Sequence, residues 1–272
     1  MKEDCFPNLK QCLFLFLFYF IPPGLFLFLT LTVPQLFGFQ LPVIYVNFNS
    51  IIAATIGLLP IIIYINNKSN LKLIWQIKPP NIITIILIIL LAIAGVLLTS
   101  SLNNSKESFS NLIEGRVLMI DFHLTKFDLN RVILFIGTVF IVPVFEEIIF
   151  RKQILGLLLN KYSPSMSIII SSILFSSVHL RINDIGSLFI WGLLFGIAYH
   201  YTKSLEVSIL LHSISNLSAF FIDHKYIEIK GMQILKYVLI LLSCVAIVIF
   251  IIKYLVQKNS KLKLSDFNTL DN

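Results

Sequence analysis

Pro143-Val144-Phe145-Glu146-Glu147-Ile148-Ile149-Phe150-Arg151 sets two adjacent carboxylates and an arginine directly into an apolar run. Within a membrane span each ionised side chain costs about 2.5–3.5 kcal/mol on insertion scales, so such groups face a protein interior, pair with one another, or do chemistry. On a helix advancing about 100° per residue, Glu147 and Arg151 form an i, i+4 pair on one face, and Glu146 points about 100° away. The bland alternative is a span ending at the interface, with its acids in water and its arginine snorkelling along lipid. The rest of the chain decides between these readings.

Of the 272 residues, 57% are hydrophobic and only 13% charged, and the mean hydropathy is +0.89. A soluble domain carries about a quarter charged residues, so this composition predicts a polytopic membrane protein. The net charge of +7 comes from lysines placed between apolar runs. That pattern fits the excess of basic residues in cytoplasmic loops and lacks the basic face of a nucleic-acid binder, so no nucleic-acid partner is expected. Cys5, Cys12 and Cys244 are far apart and form no CxxC pair, which points away from a disulfide framework or a thiolate zinc site.

Apolar length predicts about eight membrane helices, since roughly 20 residues cross a 30 Å hydrocarbon core. Leu13–Val33 reads as an uncleaved first span bent at Pro22-Pro23; Val43–Ile65 and Ile82–Thr99 follow. The polar stretch 100–130 separates these anterior spans from a posterior block, and within it Leu112–Leu124 reads as a short interfacial helix presenting Glu114, Arg116, Asp121 and His123 to water. The posterior spans are Leu129–Leu159, Ser165–Leu180, Ile185–Tyr201, Leu205–Ile222 and Gln233–Val256. The fourth span is too long to cross straight, so a kink at Pro143 is expected, with 152–162 returning to the interface. The organisation is therefore 1–128 as anterior spans and linker, 129–222 as a core, and 223–272 as a final span and tail. The lysine and arginine bias places both termini in the cytoplasm of a multi-pass protein, with a bacterial plasma membrane as the expected site and membrane lipid as a partner.

Polar residues inside the posterior spans recur at helical spacing. Phe175 and His179 share a face at i and i+4, as do His212 and Asn216. Between them Gly192 and Gly196 make a GxxxG face that allows close helix approach. Each feature alone is ordinary: a single intramembrane histidine is more often structural, and GxxxG is common. The set in successive spans, Glu-Glu-x3-Arg, Phe-x3-His, Gly-x3-Gly-x2-Tyr and His-x3-Asn, assembles a carboxylate base, two imidazoles and an amide donor.

This set resembles the CAAX proteases and bacteriocin-processing enzymes (CPBP, also called the Abi family), membrane-embedded peptidases related to the type II CAAX prenyl endopeptidase. Glu146, Glu147 and Arg151 match the first motif, Phe175 and His179 the second, and His212 and Asn216 the third. Gly192, Gly196, Tyr199 and the Thr202-Lys203-Ser204-Leu205 turn resemble the connecting segment, and coverage runs from about Val139 to Phe221. The resemblance implies an all-α helical bundle with its active site inside, acting as an endopeptidase on a membrane-associated peptide or protein; whether that substrate is lipidated stays open.

Peptide hydrolysis needs an activated water, a proton for the leaving amine and donors to the tetrahedral oxyanion. Glu146 with His179 suits the first two tasks, His212 and Asn216 the oxyanion, and Glu147, Arg151 and Phe175 supporting roles. Glu146, His179 and His212 are also a possible ligand set for a divalent metal such as zinc, although the chain has no HExxH. A glutamate-activated water is the favoured reading. Two other classes remain. A non-catalytic partner, such as a bacteriocin-immunity or regulatory protein, could bind a peptide in the same cavity. A secondary transporter would show paired broken helices in two repeated halves, and no such repeat is evident.

Overall fold

A computed structural model describes residues 21–42, 80–100, 116–122, 129–179, 181–228, 238–240 and 242–255, together with isolated helical positions between 45 and 63 and at 257. Seven helices are described: α1 (Ile21–Leu36), α2 (Ile82–Ser100), α3 (Leu129–Leu158), α4 (Pro164–Val178), α5 (Ile185–Thr202), α6 (Leu205–Phe221) and α7 (Val238–Leu255). Four of them, α2, α3, α5 with its leading turn, and α7, are long and apolar enough to cross a membrane, and α1 and α4 are shorter apolar helices. The part of the first span before Ile21, most of the second span, Cys5, Cys12, His123 and both termini lie outside the described residues.

The helices are built inside out relative to a soluble domain. On α4, Ser167, Ser171, Ser172 and Ser176 are buried, while Met166, Ile169 and Ile173 are exposed. On α2, Ile88, Leu91 and Ala92 point inward, and Ile82, Ile83, Ile86, Ile89, Leu90 and Ile93 point outward. Lipid is as apolar as leucine, so the interior is chosen by packing and hydrogen bonding, which favour small and polar side chains there. The buried serines complete the pattern by bonding to backbone carbonyls: Ser172 donates to Ile168 O at 2.7 Å and Ser171 to Phe150 O at 2.9 Å.

Helix ends are set by local chemistry. Ser163 caps α4, its Oγ accepting the Met166 N–H, with Pro164 in the first turn, where its missing N–H costs nothing. Lys203 stops α5 in the left-handed region at φ 54° and donates its N–H to Tyr199 O at 2.8 Å. Ser204 then starts α6, its Oγ accepting the Val207 N–H at 3.3 Å and donating to the Glu206 carboxylate at 2.7 Å. The tight α5–α6 turn thus follows from the four residues Thr202 to Leu205.

One expectation changes, and the kink expected at Pro143 falls inside a continuous helix. The helix through Pro143 is unbroken: α3 passes from a π-helical segment, Ile136–Ile141, into α-helix at Val142–Glu147 and back to π-helix at Ile148–Leu155. Val142 donates its N–H to Gly137 O, five residues back, so the ladder is already shifted where proline removes a donor and the chain need not part. The segment expected as an interfacial helix is instead a strand, β1 (Arg116–Phe122), antiparallel to β2 (Ile222–Glu228), with Arg116 opposite Glu228 and Phe122 opposite Ile222. Its partner lies far along the chain and follows α6 without a linker. Local apolar patterning carries no trace of that pairing.

By contacts the chain forms two units, residues 1–77 with 124–179 and residues 78–123 with 180–272. In the first, α4 packs on the Ile148–Leu155 segment of α3; in the second, α2 packs on both α5 and α6. Adjacent leucines on α2 test the inside-out assignment, since Leu91 is 2% exposed and Leu90 43%. Leu91→Ala is expected to destabilise the protein toward the lower end of the about 2–5 kcal/mol seen for buried leucines, because in lipid the transfer term is missing and only packing is lost. Leu90→Ala should change stability by less than a few tenths. Reversible unfolding in lipid bicelles measures both.

Candidate active site

The first unit brings five of the motif residues together. Glu147 and Arg151 are both fully buried, and Arg151 Nε lies 3.0 Å from Glu147 Oε2. The snorkelling alternative is thereby set aside, because no part of this arginine reaches a surface. Arg151 Nη1 donates to Ser171 Oγ at 3.2 Å, and the Ser171 hydroxyl donates to Phe150 O at 2.9 Å, so the charge anchors α3 to α4 through one serine. The guanidinium centre also lies 5.0 Å from the centroid of the Phe175 ring, a cation–π contact that gains strength when desolvated. Phe150 meets Phe175 edge-on at 5.4 Å.

His179 is oriented by the same scaffold. It closes the C-terminal end of α4, its Nδ1 lies 2.8 Å from Phe175 O, and its ring packs on Phe175 at 4.8 Å between centroids. Since the carbonyl only accepts, Nδ1 carries the hydrogen and a neutral ring presents its Nε2 lone pair outward. That nitrogen stands 3.9 Å from Glu146 Oε2. The separation is too long for a direct hydrogen bond but suits a water held about 2.8 Å from both atoms. Glu146 is 5% exposed and the His179 side chain 24%.

In the second unit, His212 is 3% exposed and lies on α6 one turn before Asn216. Phe195 of α5 lies flat on it, with ring centroids 4.5 Å apart and planes at 19°. Trp191 stacks on Phe195 in turn at 5.5 Å. Ser208 Oγ donates to Phe195 O at 3.2 Å, joining α5 to α6 one turn before the histidine. Gly192 and Gly196 are buried on α5. Sequence reasoning missed Ser171, Phe150, Phe195 and Trp191. For Ser171 a faint signal exists in the Ser167-x3-Ser171 spacing on an apolar helix; for the aromatic residues nothing in the spacing marks which ring meets which.

A metal site was the open alternative. Among the described residues, no three His, Cys, Asp or Glu side chains gather as ligands within either unit. The first unit supplies two donors, Glu146 and His179, where a catalytic zinc takes three protein ligands. The third candidate donor, His212, lies in the second unit, and no step below is routed through a metal.

The match to a known family falls on the stretch that carries these motifs. Residues 128–218 match the family described as type II CAAX prenyl endopeptidase Rce1-like. The membrane-embedded CAAX protease MroQ of Staphylococcus aureus strain USA300 is 34% identical over 80 residues, which is 27% of this chain and 32% of that protein. An uncharacterized protein of Mycoplasma capricolum subsp. capricolum is 36% identical over 98 residues, 35% of this chain and 28% of its own length. The matched stretches thus span about a third or less of each relative, and no solved structure matches the chain significantly. Residues 128–218 are thus similar to the Rce1-like type II CAAX prenyl endopeptidases, and the similarity covers about a third of the chain.

The buried ion pair makes a stability prediction. Arg151→Ala strands the Glu147 carboxylate in the interior and is expected to cost about 3–5 kcal/mol, read as lost folded protein in a thermal scan of solubilised material. Ser171→Ala removes the hydrogen bond from the charged Arg151 together with the one to Phe150 O and should cost about 1.5–3 kcal/mol. Glu146→Gln should leave the folded yield unchanged. An Arg151→Ala protein as stable as wild type would show that the pair does not hold α3 to α4.

Proposed function

We propose that this protein is an intramembrane endopeptidase that hydrolyses a membrane-associated peptide or protein. The observation that carries the reading is the Glu146–His179 pair: a carboxylate 3.9 Å from an imidazole nitrogen whose other nitrogen is tied to Phe175 O. Few structural reasons exist for facing a carboxylate with the lone pair of an oriented histidine inside an apolar bundle, whereas water activation needs that arrangement. The match of residues 128–218 to a family described as endopeptidases supports the same class of reaction.

The proposed mechanism uses the chain's own groups. A water between Glu146 and His179 gives a proton to the carboxylate as its oxygen attacks the scissile carbonyl carbon. The peptide oxygen takes up the negative charge, and His212 and Asn216, one helical turn apart on α6, donate hydrogen bonds to it. The C–N bond then breaks as the proton held by Glu146 passes to the leaving amine, yielding a carboxylic acid and an amine. Glu147 and Arg151 hold the helix that carries Glu146. The surrounding bundle of about eight spans, the 129–222 core, cytoplasmic termini, a bacterial plasma-membrane location and a possible lipid on the substrate belong to the same proposal.

Because the base and the oxyanion donors act in the transition state more than in the ground state, Glu146→Gln and Asn216→Ala should lower turnover and spare substrate capture. Loss of one oxyanion donor is expected to cost about 10²–10³ in kcat, and loss of the base at least as much. The assay is cleavage of membrane-associated peptides, with and without a prenylated CaaX tail, by protein reconstituted in bilayers, with binding followed separately. Unchanged rates in both variants, or binding without cleavage by wild type, would overturn the hydrolytic reading. Overnight chelation is expected to leave wild-type cleavage intact; loss of cleavage that added zinc restores would instead assign the chemistry to a metal.

A further inference from the structure

The second unit contains an aromatic stack that leads from outside the matched family segment to His212. Gly95 is buried on α2, and a Cβ built there would fall 2.6 Å from Trp191 Cη2 and 2.9 Å from Cζ3, closer than real Cβ contacts come. Trp191 stacks on Phe195 with planes at 28°, and Phe195 covers His212 at 19° with 4.5 Å between centroids. Phe195 is 1% exposed and cannot swing away, and its backbone is held to α6 by Ser208. Beside it, Ser187 Oγ donates to Thr99 O at 3.2 Å, fixing the end of α2 against the start of α5.

We infer that the Gly95–Trp191–Phe195 stack sets the orientation of the His212 imidazole, which makes these three positioning residues for the proposed reaction. The inference rests on the reading of His212 as an oxyanion donor. Imidazole is planar and its hydrogen-bonding atoms lie in that plane, so a face-to-face neighbour decides where they can point. The glycine lets α2 close on Trp191, Trp191 backs Phe195, and Phe195 fixes the plane of the histidine. Close packing transmits a displacement at one end because interiors have few voids to absorb it. A misplacement on the order of 1 Å at a reacting group can cost about 10²-fold in rate.

The test uses the full chain in lipid nanodiscs with isotope-labelled histidines, the His212 resonances being assigned by their loss in His212→Gln. In wild type the His212 ring protons are expected upfield of those of the other histidines, owing to the flat Phe195 ring. Gly95→Val should move them, Gly95→Val with Trp191→Leu should return them, and Phe195→Leu should abolish the upfield shift. The His200 signals, on the last turn of α5, should stay in place. On a membrane-anchored reporter peptide that wild type cleaves, Gly95→Val should lower kcat by about 10–10²-fold at unchanged KM, with recovery in the double variant. If Gly95→Val does not accumulate, Gly95→Ala carries the same expectation. His212 resonances that remain in place in folded Gly95→Val or Gly95→Ala protein overturn the inference, even if yield falls. Full cleavage by His212→Ala would overturn the catalytic role of His212 instead, and the resonance result would still decide the role of the stack.

Discussion

Burying Glu147 and Arg151 together is the constraint on which the first unit depends. Taking two charges from water costs several kcal/mol each, and their mutual attraction repays this only where the geometry is good and the remaining donors are supplied with partners. Here Arg151 meets the Glu147 carboxylate, the Ser171 hydroxyl and the Phe175 ring, and Ser171 passes the tether on to the Phe150 carbonyl. A well-packed apolar pair could hold two helices as firmly. What the ion pair adds is direction: it fixes the rotation of α3 about its axis, so that Glu146, the preceding residue, faces His179.

The same economy of polar groups governs the other described helices. Lipid offers no reward for burying leucine, so helix contact comes from serines that return their hydrogen bonds to backbone and from glycines that let helices close. The π-helical turns on either side of Glu146 and Glu147 belong to this scheme. Such turns shift the side-chain face within a continuous helix and occur often at functional sites. They also let Pro143 sit in mid-helix without splitting the span.

The matched family segment begins at residue 128, yet α2, which precedes it, packs on both helices that follow the second motif. Gly95 shows how a helix with no motif of its own can matter to one that has: its missing side chain gives Trp191 the space to back Phe195 against His212.

Membrane character, most helix positions, and the local pairs Glu147–Arg151 and Phe175–His179 were legible from sequence, because apolar length and i, i+4 spacing are properties of one helix. The strand β1 was misread as a helix, since its hydrogen-bonding partner, Ile222–Glu228, lies beyond four intervening helices and pairing leaves no local signature. The unbroken passage through Pro143 was hidden for a related reason: a shift of hydrogen bonding from four residues back to five is not written in any single residue type. Ser171 beneath Arg151, Phe195 over His212 and Trp191 against Gly95 were decided only by tertiary structure, because they depend on the rotation and approach of separate helices, which packing selects and spacing along the chain does not encode.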